Sequence, residues 1–164
     1  MTGSGHRRAL SRFHGVVLGM ALGLAGLSAA WWAWESRWDS RLFAPMADTT
    51  AKNLSAQQAW EFLSGHPDLQ VLDVRTPGET ARGMLPGARR ISWGDPAFEL
   101  ELSRWDRSRP VLVYCQGGYR SRKAVEVLRS LGFNSVLHLH RGMMSWRWAG
   151  KAVTDGESGT TSLR

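Results

Sequence analysis

One cysteine occurs in this 164-residue chain, at position 115. It opens the segment Cys115-Gln116-Gly117-Gly118-Tyr119-Arg120-Ser121, after the apolar run Val111–Tyr114 and before a helix-patterned stretch. A strand whose carboxyl end passes through glycines into a helix N-terminus is where α/β sheets bind ligands. It is also where backbone N–H groups converge on an anion. Gly117 and Gly118 let the chain curl so that those groups point inward. A cysteine at the base of such a loop has its thiolate stabilised and serves as a nucleophile. Arg120 adds a planar fork able to grip an incoming oxyanion at two points. A lone cysteine is more often a small buried hydrophobe, but this position argues against that reading. A single cysteine also excludes an intramolecular disulfide framework and a cysteine-cluster metal site.

The elements that must position this loop are legible over residues 54–153. Ser55 and Gln58 form a capping box at the start of a helix that ends at Gly65-His66-Pro67. Leu69–Val74 reads as a buried strand, Arg75–Gly87 as a loop, Ala88–Ile91 as a short strand and Phe98–Trp105 as a short helix. Val111–Tyr114 is a strand covered on both faces. Ser121–Leu131 has apolar residues at 124, 125, 128 and 131, with Gly132 as its terminating glycine. Ser135–His140 is a further strand and Met143–Ala149 a last helix. The alternation of strand and helix implies an α/β domain with a parallel sheet.

Ahead of that domain, Arg7, Arg8 and Arg12 precede twenty uncharged residues, Gly15–Trp34. As a helix this run is roughly 30 Å long, the thickness of a bilayer's hydrocarbon core. Trp31, Trp32, Trp34 and Trp38 gather at its far end, as an aromatic belt would. Residues 1–14 are therefore read as a basic arm and 15–34 as a transmembrane or signal-anchor helix. The arginine bias places the N-terminus in the cytoplasm and the domain on the periplasmic or outer face. Ser28-Ala29-Ala30 equally fits a cleavage site, which would release a soluble exported domain. Gly15, Gly19 and Gly23 have the spacing that lets two such helices pack as a dimer, although glycine is common in these segments anyway. Residues 35–53 read as a stalk and 154–164 as a disordered tail.

Several ordered signatures resemble the single-domain rhodaneses, a sulfurtransferase family. They are Val71-Leu72-Asp73-Val74-Arg75 with Pro77 and Glu79, then Leu85-Pro86-Gly87-Ala88, the cysteine loop, and Gly142-Met143, Trp146, Ala149-Gly150 and Val153. The resemblance covers residues 54–153. It implies a small five-stranded parallel sheet with helices on both faces. It also implies a ping-pong reaction without a cofactor. The cysteine takes a sulfane sulfur from thiosulfate or another persulfide donor, becomes a persulfide, and passes the sulfur to cyanide or a thiol. On this resemblance Cys115 is the sulfur carrier, and Gln116, Gly117, Gly118, Tyr119, Arg120 and Ser121 bind the substrate. Arg120 holds the donor's anionic end. Asp73, Arg75 and Glu79 are structural, with Arg75 pairing with Glu79 to fix the 75–87 loop. Cys115 to Arg120 spans six residues; related phosphatases and arsenate reductases use seven, which makes oxyanion chemistry the weaker reading. The sequence departs from the family at Met84, Thr80 and Arg141. Arg82, Arg122, Lys123 and Arg141 either add positive field near the pocket or form a solvated basic surface.

The formal charge of +7 and pI of about 10.7 suit an anionic partner. Hydrophobic residues at 43% and charged residues at 21% exclude a disordered chain. Tryptophans 60, 93, 105, 146 and 148 are scattered, not arranged as a base-stacking platform, so no nucleic-acid partner is expected. His138 and His140 share a strand face but have no evident third ligand, and no metal is expected. A non-catalytic, membrane-tethered binding module is the competing function. It would have no need of the cysteine or the loop arginine.

Overall fold

The computed structural model describes residues 4–43 and 50–155, with side chains from Val17 onward. Positions 44–49 of the expected stalk and 156–164 of the expected tail lie outside the described residues. The chain divides into two compact units, Met1–Arg41 and Leu42–Arg164.

The first unit is a single helix, α1, spanning Ser4–Leu42. Its Val17–Leu42 portion, 26 residues with a mean hydropathy of 1.4, is long and apolar enough to cross a membrane. The ring of Trp34 packs 5.3 Å from that of Trp31 and 5.0 Å from that of Trp38. The helix does not stop at residue 34, because no glycine or proline interrupts the sequence before Pro45. The first part of the expected stalk is therefore helical.

The second unit is a five-stranded, all-parallel sheet in the order β1-β5-β4-β2-β3. The strands are β1 (Thr50–Leu54), β2 (Gln70–Asp73), β3 (Ala88–Arg90), β4 (Val111–Tyr114) and β5 (Ser135–Leu139). The helices are α2 (Ala56–Gly65), α3 (Pro77–Thr80), α4 (Phe98–Ser103), α5 (Tyr119–Ser130) and α6 (Gly142–Trp148). Successive side chains of β4 point to opposite faces. Val111, Val113 and Cys115 join one core cluster with Phe98 and Leu102 of α4 and Ala124, Val125 and Leu128 of α5. Leu112 and Tyr114 join the other, with Ala56 and Ala59 of α2 and Met143 and Trp146 of α6. Burying both faces demands the uninterrupted apolar run that marks β4 in the sequence.

The capping box forms at α2, where the Gln58 N–H donates to Ser55 Oγ and the Ser55 N–H to Gln58 Oε1. Gly132, at φ +83°, ends α5. Two expected boundaries are corrected. Residues 50–53, expected in the stalk, form with Leu54 an edge strand, Thr50–Leu54, paired in register with Ser135–Leu139. Thr154 was assigned to the disordered tail but is buried and exchanges both backbone hydrogen bonds with Met84 at 2.9 Å.

Candidate active site

Cys115 is the first residue after β4, and only 1% of its surface meets solvent. The Gly118 N–H donates to its Sγ at 3.1 Å. Gly118 lies at φ +98°, a conformation that turns the chain sharply into α5 and that a side chain would strain. The helix starts at Tyr119, two residues earlier than the periodicity suggests. Arg120 and Ser121 thus belong to its first turn, whose N–H groups have no partner within the helix.

What orients the loop is the turn after β5. The Met143 N–H donates to the Cys115 carbonyl at 2.8 Å, and the Met144 N–H to the Gln116 carbonyl at 3.1 Å. Both carbonyls are thereby committed to the α6 backbone, which leaves the N–H side of the loop for the sulfur. The approach is close enough to require glycine. A Cβ on Gly142, at φ +52°, would lie 2.1 Å from the Cys115 carbonyl oxygen. The sequence shows Gly142 as part of a motif, but nothing in it connects that residue with the cysteine loop. Arg141 just before it is held at φ +57°, a left-handed conformation uncommon for a side-chain-bearing residue.

Arg120 and Glu79 form a two-point ion pair, Nη2 to Oε1 at 2.6 Å and Nη1 to Oε2 at 2.8 Å. The Thr76 N–H and hydroxyl each donate to Glu79 Oε2 at 2.9 Å. The Arg120 hydrogen bond, opposed by burial and assisted by Thr76, holds the Glu79 carboxyl down to about 2. The same carboxylate raises the Arg120 pKa; burial opposes the rise, and the charge of Glu79 and the Cys115 sulfur add to it.

Arg75 does not pair with the Glu79 carboxylate. Its guanidinium lies on Asp73 instead, Nη2 to Oδ2 at 2.6 Å, with both residues almost wholly buried. Its remaining donors reach the Glu79 carbonyl at 3.2 Å and the Gly83 carbonyl at 2.8 Å. Arg75 therefore fixes the 75–87 loop through the backbone, leaving the Glu79 side chain free to meet Arg120. Burial acts to lower the Arg75 pKa, but the hydrogen bond and charge of Asp73 outweigh it and raise it. Tyr114 completes this layer: its hydroxyl accepts the Leu85 N–H at 3.0 Å, and its ring lies 5.4 Å below the Arg75 guanidinium. Burial, then the neighbouring Asp73 carboxylate, raises the Tyr114 pKa well above its ordinary value.

Ser121 is fully buried, with its hydroxyl 3.4 Å from Cys115 Sγ and 2.9 Å from His138 Nε2. His138 was read only as one of two histidines on a strand face. It is in fact fully buried behind the cysteine loop. Among the remaining loop residues, Gln116 is half-buried and Gly117 exposed; the exposed Tyr119 ring carries the Lys123 ammonium 4.8 Å from its centre. Arg122, considered for a basic surface, is buried beside Gly118. Among the described residues no group of three or more His, Cys, Asp or Glu side chains is arranged to hold a metal ion.

The domain that holds this loop matches known proteins. Residues 55–149 match the Rhodanese-like domain. The chain belongs to the rhodanese family. A sulfurtransferase from Allochromatium vinosum is 32% identical over 95 residues, covering 58% of this chain and 87% of the relative. A tRNA uridine(34) hydroxylase from Anaplasma marginale is 34% identical over 95 residues, but the match covers 53% of this chain and only 33% of the hydroxylase. Among solved structures, a rhodanese-like domain protein from Staphylococcus aureus has a TM-score of 0.52 at 29% identity, covering 58% of this chain and 90% of that one. The rhodanese domain is thus shared by sulfurtransferases and by larger proteins named for a different reaction.

Proposed function

We propose that this protein transfers a sulfane sulfur through a persulfide on Cys115. The Cys115 thiolate attacks the outer sulfur of thiosulfate or of another small anionic persulfide donor. A sulfur–sulfur bond forms at Sγ, the donor's own sulfur–sulfur bond breaks, and the leaving group, sulfite from thiosulfate or a thiolate from a persulfide, departs with the electron pair. Cyanide or an acceptor thiol then attacks the terminal persulfide sulfur and regenerates the thiolate. The observation that carries this reading is the Gly118 N–H at 3.1 Å from Sγ, in a loop that also holds Arg120. Backbone donors stabilise the anionic terminal sulfur, and Arg120 draws in the anionic end of the donor. The sulfurtransferases among the relatives support the same reading. With no second cysteine in the chain, the sulfur must leave to another molecule. Thiocyanate formation from thiosulfate and cyanide tests the proposal. Cys115→Ser abolishes it with the fold intact, and residual turnover within tenfold of the parent would remove Cys115 from the mechanism.

The same proposal places the domain on the outer face of a membrane, with α1 as an uncleaved anchor whose N-terminus is cytoplasmic. Support comes from the apolar Val17–Leu42 stretch and the three arginines ahead of it. Protease added to spheroplasts then digests the domain. A domain protected until lysis would reverse the orientation, and a mature chain beginning at Trp31 would replace the anchor with a cleaved signal.

A further inference from the structure

An unbroken line of polar atoms runs from the sulfur toward the edge of the sheet. Cys115 Sγ lies 3.4 Å from Ser121 Oγ, which lies 2.9 Å from His138 Nε2. On the other side of the imidazole, Nδ1 is 2.8 Å from Asn53 Oδ1, and Asn53 Nδ2 is 3.2 Å from His140 Nδ1. Sheet register builds this line, since Asn53 and His138 are direct partners on β1 and β5. Ser121 and His138 are both completely buried. The Phe43 ring stacks on the imidazole at 5.8 Å.

We infer that Ser121 and His138 form a proton relay for Cys115. A carbonyl oxygen only accepts, so Asn53 Oδ1 holds the hydrogen of His138 on Nδ1 and leaves Nε2 as an acceptor toward Ser121. Asn53 is kept in this orientation because its amide donates to His140 Nδ1. When the thiol ionises, the S–H bond breaks and its proton goes to Ser121 Oγ. At the same time the serine O–H bond breaks and that proton goes to Nε2. The products are a thiolate, a serine hydroxyl that now donates to the sulfur, and an imidazolium hydrogen-bonded to that serine. No electrons change hands and no co-reactant is required. The two new charges are opposite and bridged, which a buried site tolerates far better than a lone ion.

Among the described residues, groups from four segments face His138. Asn53 comes from β1, Ser121 from α5, Val113 from β4 by register, and Phe43 from the segment after α1. The titratable members of the line are Cys115 at one end, His138 in the middle and His140 at the other end. The charged side chains on the adjoining loop and helix turn are Arg120, paired with Glu79, and Arg122, buried beside Gly118. Neither histidine touches the reacting sulfur, so His138 is a positioning residue that acts through Ser121.

The relay rests on Cys115 being the reacting thiol, and its test uses chemistry independent of sulfur transfer. The full chain in detergent is alkylated with iodoacetamide from pH 6 to pH 9.5, and the rate of Cys115 labelling is followed by mass. His138→Gln and Ser121→Ala label at least tenfold more slowly than the parent near pH 6.5. They converge to within about twofold near pH 9.5, where hydroxide removes the thiol proton directly. Equal rates at every pH would overturn the relay, as would a slowing by one constant factor across the range, the mark of altered packing alone. Ser121→Ala removes a single oxygen and decides the matter if His138→Gln does not fold. Loss of the pH-dependent gap while thiosulfate turnover persists sinks the relay alone. A gap that stands without any turnover keeps the relay and sinks the sulfur-transfer reading.

Discussion

The two sides of Cys115 are built from opposite materials. On the outer side stands a full ion pair, Arg120 and Glu79, whose side chains remain 28% and 20% exposed. On the inner side, Ser121 and His138 are wholly buried; the serine hydroxyl meets the sulfur, and His138 meets the serine. Water still screens these ions, which keeps the cost of separating them modest. The groups directly behind the sulfur are joined by hydrogen bonds, because an unpaired polar group there would be costly. One face of the sulfur carries a partly solvated ion pair and the other is closed to water.

That contrast depends on the loop keeping its shape, and the largest effect is expected where the shape is imposed. Gly142→Ala puts a Cβ against the Cys115 carbonyl and spoils both sides together. Thiosulfate turnover falls by more than a hundredfold, and the domain loses on the order of 2–4 kcal/mol of stability. Turnover near the parent value would show that the turn after β5 does not shape the site. A smaller and one-sided effect is expected from Arg120→Ala. It raises KM for thiosulfate roughly tenfold to a hundredfold, about 1.4–2.8 kcal/mol. An unchanged KM would assign donor binding to other basic groups.

The cysteine loop was legible because its geometry is local. Glycines, a preceding apolar strand and a following amphipathic helix are all written within about twenty residues. The parallel sheet was legible for the same reason, since a strand buried on both faces must read as an apolar run. What escaped the sequence depends on register and distance. Thr50–Leu54 contains Lys52 and Asn53 and has little strand character of its own; pairing with β5 makes it a strand. Without β1 there is no reason to connect Asn53 with His138, or His138 with the cysteine. The family resemblance implies a pairing of Glu79 with Arg75, four positions away. The fold instead brings Arg120 from 41 residues away and gives Arg75 to Asp73. Arg141 was visible as a departure from a glycine, and its φ of +57° shows what backbone that glycine ordinarily serves.

The most direct test of sulfur transfer through Cys115 is the intact mass of the full chain before and after thiosulfate, and again after cyanide. The account predicts a gain of about 32 Da, one sulfur atom, that cyanide removes and that Cys115→Ser never shows. An unchanged mass in the parent, or the same gain in Cys115→Ser, would contradict it.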